Sequence, residues 1–143
     1  MTDFPVTIFH NPACGTSRNV VSMVEAAGYR PEVVEYLKAG WTADQLVALF
    51  TGAGLTPREA MREKGSLAAD LGLLDPGASD NAILAAMVEH PVLVNRPIVR
   101  TPRGVALCRP SEKVFDLLER SPDQFVKEDG EAVVPAYGSA NAR

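Results

Sequence analysis

The chain has 143 residues, enough for one domain with a full core and short for two. Hydrophobic residues make up 46% and charged residues 22%, which is ordinary for a soluble globular protein. The net charge of −4 argues against general binding of nucleic acid or an anionic membrane, so an anion site must be a local cluster of arginines. Two cysteines, Cys14 and Cys108, are fewer than a small disulfide-stapled secreted domain usually carries. The start "MTDFPVTIFH" lacks the basic and apolar regions of a signal peptide. No stretch approaches the ~18 apolar residues of a membrane span. A reducing, cytoplasmic setting is the expectation.

The apolar run at 6–9 reads as a short buried strand. Residues 17–27 read as a helix with Val20, Val21, Val24 and Ala27 on one face and Gly28 as its stop. "PEVVEYL" (31–37) reads as a second strand, parallel to the first because a helix connects them. The middle differs. Capping boxes stand at Thr42–Gln45 and at Thr56–Glu59, the latter with Pro57 at N1. Asp80 is placed to cap a third helix, which runs to Glu89 and ends before Pro91. A helical insertion with no strand is therefore expected over about 42–90. "VLVN" (92–95) reads as a strand, "TPRG" (101–104) as a turn and "VALC" (105–108) as the returning strand of an antiparallel hairpin. A helix is expected from Pro110 through "EKVFDLLE". The tail from Pro122 is polar, and its end "YGSANAR" reads as frayed. The order βαβ, helical insertion, ββα is an α/β thioredoxin-like arrangement in one domain, 1–143.

Cys14, in "HNPACGTSRN" (10–19), sits at the joint between a strand and a helix. Unpaired backbone N–H groups and the helix dipole favour a thiolate there and can also hold an oxyanion. Spacing excludes two familiar loops. A dithiol motif needs a cysteine at 17, where Ser17 stands, and a tyrosine-phosphatase loop needs an arginine at 20, where Val20 stands. Metal is not expected, because His10 and Cys14 are the only local ligands. His10 has two readings: an imidazolium that stabilises the thiolate, or a hydrogen-bond partner that orients the loop. His90 reads as a helix end without chemistry. Arg96 in "NRP" and Arg109 in "CRP" both precede proline at strand ends, and Arg62 lies in the helical pattern "PREAMREK". Arginine's planar fork suits a tetrahedral oxyanion, although surface arginines are common and spacing alone does not select these three. Cys108 ends an apolar run and reads as buried packing.

The motifs "HNPACGTSRN", "NRPIV" and "LCRPSEKV", with the tail "FVKEDGE", resemble the glutaredoxin-coupled arsenate reductases of bacteria. The likeness covers nearly the whole chain. It implies a thioredoxin-like fold with a helical insertion. It also implies Cys14 as the nucleophile, His10 and Ser17 as supports of its thiolate, and Arg62, Arg96 and Arg109 as the oxyanion site. Pro97 is implied as a cis-proline beside the cysteine. The family reduces arsenate to arsenite with glutathione as co-substrate and glutaredoxin as reductant, and with no bound cofactor. Arg100 and Arg103 depart from the pattern, where fewer charges are expected. They either strengthen anion attraction or lie on the surface. The alternative is a catalytically silent thioredoxin-fold protein that binds a partner, as polymerase-binding relatives do. Those relatives often lack the full arginine set, which is present here.

Overall fold

The computed structural model describes residues 4–64 and 67–135. The chain divides into two compact units, Met1–Glu35 with Arg96–Arg143, and Tyr36–Asn95.

In the first unit β1 (Thr7–His10) leads into helix α1 (Gly15–Ala26) and then β2 (Glu32–Glu35). The two strands are parallel, with Thr7 opposite Glu32 and His10 opposite Glu35. α1 buries Val20, Met23 and Val24, the spacing of one helical face. The chain leaves α1 through Gly28 at a φ of 97°, where a side chain would be strained. β3 (Ile98–Thr101) and β4 (Gly104–Leu107) form an antiparallel hairpin. β3 also pairs antiparallel with β1, which gives the order β2–β1–β3–β4. This is a thioredoxin-like sheet. Its core joins Ile8 and Val99 to Val20, Met23 and Val24 of α1 and to Val114 and Phe115.

The second unit contains α2 (Tyr36–Ala39), α3 (Ala43–Ala53), α4 (Pro57–Ala60), α5 (Leu67–Asp70) and α6 (Asp80–Glu89). The expected insertion, about 42–90, lies inside it. Both capping boxes form: Thr42 with Gln45, and Thr56 with Glu59. The cap of α6 is Ser79, whose hydroxyl accepts the Ala82 N–H, and Asp80 is the first helical residue rather than the cap.

Several expectations are corrected. The strand expected at 92–95 is a 3-10 turn, Pro91–Leu93, followed by extended backbone. Pro91 has no N–H to give a sheet and fits the first position of a helical turn. The strand that pairs with β1 begins only at Ile98, so Arg96 leads into a strand instead of ending one. α4 is a single turn, so Arg62 is not helical. Met61 is extended and bridges Val94, and the Arg62 N–H donates to the Leu93 carbonyl at 2.7 Å. The insertion is thus not wholly free of strand pairing.

The helix expected after Pro110 is a 3-10 helix, Ser111–Leu117. Its buried Ser111, Val114 and Leu117 recur every third residue, the period of that tighter helix. The polar tail after Pro122 carries a short hairpin. β5 (Phe125–Val126) and β6 (Ala132–Val133) pair antiparallel, and Val133 enters the core. The "YGSANAR" segment lies outside the described residues.

Candidate active site

Sheet register assembles the site. Phe9 of β1 lies opposite Ile98 of β3, and Ile98 lies opposite Leu107 of β4. This row marks one end of the sheet. There the chain leaves β1 toward Cys14, enters β3 from Arg96 and Pro97, and leaves β4 into Cys108 and Arg109. The Arg96–Pro97 and Arg109–Pro110 peptide bonds are both cis. Nothing in the sequence singled out the second.

Cys14 is the N-cap residue of α1, with extended backbone at φ −101° and ψ 122°. Its carbonyl accepts the Arg18 N–H and its own N–H donates to the Asn11 carbonyl, each at 3.0 Å. The half-buried sulfur therefore faces the open N–H groups of the first turn. Arg109 Nη1 stands 3.7 Å from Cys14 Sγ and donates to the Arg96 carbonyl at 2.9 Å. Burial pushes the Cys14 thiol up. Hydrogen bonds from the Ser17 backbone N–H, Arg96 and Arg109, with the charge of Arg96, outweigh burial and bring it down from 9.0 to about 7. A substantial fraction is therefore thiolate near neutral pH, beside the Ser17 N–H, Arg96 and Arg109.

His10 and Ser17 are both buried and are joined to each other, His10 Nδ1 to Ser17 Oγ at 2.6 Å. Ser17 Oγ also accepts the Asn11 N–H at 3.1 Å. Burial pushes the His10 imidazole below its ordinary 6.5, with Glu35 opposing and Arg18 reinforcing. Its lowered pKa favours the neutral imidazole near neutral pH. The geometry thus favours the loop-orienting reading over the imidazolium reading.

Sequence reasoning missed Asn11 and Arg18. Asn11 Oδ1 accepts the Ala13 N–H at 2.9 Å and folds the turn that delivers Cys14. Its signal was the Asn-Pro pair, a turn starter. Arg18 donates to the Pro12 carbonyl at 2.8 Å. Its only signal was its place four residues after Cys14.

The remaining candidates make the following contacts. Arg62 belongs to the second unit, where its Nη1 donates to Asn95 Oδ1 at 3.4 Å, the residue before Arg96 in the chain. Cys108 is fully buried, and burial pushes its thiol up to about 12. Arg100 lies over the Phe9 ring at 5.6 Å, and Arg103 donates to the Leu118 carbonyl at 2.8 Å. Among the described residues no group of three His, Cys, Asp or Glu side chains is placed to hold a metal. No described helix is long and apolar enough to cross a membrane.

The model of the ArsC family matches residues 9–117. The chain belongs to the ArsC family. Among its ArsC relatives, the arsenate reductase ArsI1 of Synechocystis is 57% identical over 140 residues, covering 97% of each chain. The arsenate reductase of Rhizobium meliloti is 56% identical over 134 residues, covering 93% of this chain and 96% of the relative. The solved structure of an arsenate reductase from Vibrio cholerae superposes with a TM-score of 0.78 at 38% identity, covering 82% of this chain and all of that one. The ArsC match spans Cys14, Arg96 and Arg109 alike.

Proposed function

We propose that this protein reduces arsenate to arsenite, with Cys14 as the nucleophile. The observation that carries the reading is the 3.7 Å approach of Arg109 Nη1 to Cys14 Sγ, beside Arg96 and the first turn of α1. Nucleophile and oxyanion donors occupy one place. The ArsC membership and relatives named as arsenate reductases support arsenate as the oxyanion.

In the proposed reaction Arg96, Arg109 and the α1 N–H groups bind arsenate. The Cys14 thiolate attacks arsenic, and an arsenic-bound oxygen leaves as water, giving a thiolate–arsenate ester. Glutathione then supplies the second thiol. A sulfur–sulfur bond forms between Cys14 and glutathione, and the electron pair of the broken sulfur–arsenic bond stays on arsenic, which falls from As(V) to As(III). Two thiols and one arsenate thus yield one mixed disulfide, one arsenite and one water. His10 and Ser17 keep the loop in shape; they do not carry the proton.

Glutaredoxin and further glutathione restore Cys14, because the only other cysteine is buried and held as thiol. Dependence on the glutathione pool places the protein in the reducing cytoplasm. The test is arsenate-dependent NADPH oxidation in a mixture with glutathione, glutaredoxin and glutathione reductase. Turnover that stops when arsenate, glutaredoxin or the protein is left out supports the reading. No turnover with the complete mixture refutes it and leaves the partner-binding alternative.

A further inference from the structure

The C-terminal hairpin does not pack on the core alone. The turn between β5 and β6 sits against the start of α1. Glu128 receives two bonds from Arg18, Nε to Oε2 at 2.7 Å and Nη2 to Oε1 at 3.0 Å, and the Glu128 N–H donates to Asn19 Oδ1 at 3.0 Å. The third nitrogen of the same guanidinium, Nη1, donates to the Pro12 carbonyl inside the Cys14 loop. A Cβ added at Gly15, the residue after Cys14, would lie 3.6 Å from Arg18 Nη2 and 3.7 Å from Glu128 Oε1. The pair therefore stands directly beside the nucleophile's neighbour. The hairpin is anchored a second time by Lys127, whose ammonium bonds Glu112 at 2.8 Å, just beyond Arg109 and Pro110.

We infer that Arg18 and Glu128 are positioning residues that hold the Cys14 loop in register with its donors through the Pro12 carbonyl. The inference builds on the proposed function. The Arg18 and Glu128 side chains are 44% and 45% exposed, and an ion pair that open to water adds little to stability. Its three-way geometry acts on loop placement instead. Lysine has no planar fork, so it cannot bond Pro12 and both Glu128 oxygens at once. The Arg18 guanidinium is raised above its ordinary value, first by the Glu128 bond and last by the charge on Cys14, so the pair also lies within the thiolate's field.

Positioning and simple charge effects predict opposite signs at Glu128. Removing a nearby carboxylate charge lowers the thiol pKa through the field. Releasing Arg18 lets the loop drift from the Ser17 N–H, Arg96 and Arg109, which raises it. The experiment measures Cys14 alkylation rate against pH, arsenate kcat/KM and Tm for Arg18→Lys and Glu128→Gln. Both variants are expected to shift the alkylation midpoint upward by about half a pH unit and to lower kcat/KM about threefold, with Tm within about 2 °C of wild type. A midpoint that stays put in either variant, or falls in Glu128→Gln, overturns the inference. The midpoint needs no arsenate. Shifted midpoints in a protein that turns over no arsenate would refute the proposed function and keep the positioning role.

Discussion

Replacing Arg109 with alanine tests the link between sheet register and thiol chemistry. With the Cys14 thiol at about 7 instead of 9.0, about half of it is ionised at pH 7, against about 1% for an ordinary thiol. The depression comes from the Ser17 N–H, Arg96 and Arg109 acting against burial. A neighbouring cation lowers a pKa by about 1–3 units, so losing one of two arginines returns the thiol upward by about one unit. The ionised fraction at pH 7 then falls to about 9%, and alkylation of Cys14 slows about fivefold. Catalysis is expected to lose more, because in the proposed reaction Arg109 also holds the oxyanion. A charge-assisted hydrogen bond is worth about 1.5–3 kcal/mol, or about 10- to 150-fold in kcat/KM. Arg109→Lys keeps the charge and should recover part of the alkylation rate. It should not fully recover kcat/KM, since an ammonium cannot present a planar two-nitrogen fork to a tetrahedral oxyanion. The assays are iodoacetamide alkylation from pH 5 to 10 and initial rates of arsenate reduction. An unmoved midpoint together with kcat/KM within twofold of wild type would refute the assignment.

Cys14→Ser should abolish turnover while leaving Tm nearly unchanged, because the half-buried sulfur contributes little packing; residual activity above a few per cent would contradict a thiol nucleophile. The folded thiol titrates at about 7 and the unfolded one near 9.0, so the unfolded chain binds more protons between these values. Wild-type stability relative to Cys14→Ser should therefore rise as pH goes from about 7 to about 9, measured by urea unfolding. Ser17→Ala leaves His10 Nδ1 and the Asn11 N–H without their shared partner. It should cost about 1–3 kcal/mol of stability and raise the Cys14 alkylation midpoint; an unchanged Tm would contradict the loop-orienting role. Cys108→Ala should stay active, with mass spectrometry finding the glutathione adduct on Cys14. A Cys14–Cys108 disulfide as the main product would contradict external resolution.

Local patterns were the legible part of this sequence. Both capping boxes form, as does the βαβ unit, because a cap or a crossover is decided by residues a few positions apart. The tight turn at Gly28 belongs to the same class. The misreadings came where tertiary contacts outvote local pattern. "VLVN" has strand composition, yet Pro91 starts a 3-10 turn and Val94 spends its extended backbone on Met61. "PREAMREK" has helical spacing, yet burial of Met61 and its pairing with Val94 pull the chain out after Ala60. The helix after Pro110 tightens because its buried residues repeat every third position. Of the candidate site, Cys14, Arg96 and Arg109 are brought together within the first unit, even though Arg96 was placed at the wrong end of a strand. The error cancelled, since the start of β3 and the end of β4 meet at the same end of the sheet. Arg18 and Glu128, about a hundred residues apart in the chain, left no local trace of their pairing.

The central claim is that arsenic is reduced at Cys14. A single turnover tests it most directly: enzyme, excess arsenate and glutathione without glutaredoxin, quenched and analysed for arsenic oxidation state and for the mass of the Cys14 peptide. The account predicts one arsenite per glutathione adduct on Cys14, and neither with Cys14→Ser. Arsenate recovered unchanged from the wild-type protein, or arsenite formed equally by Cys14→Ser, would contradict it.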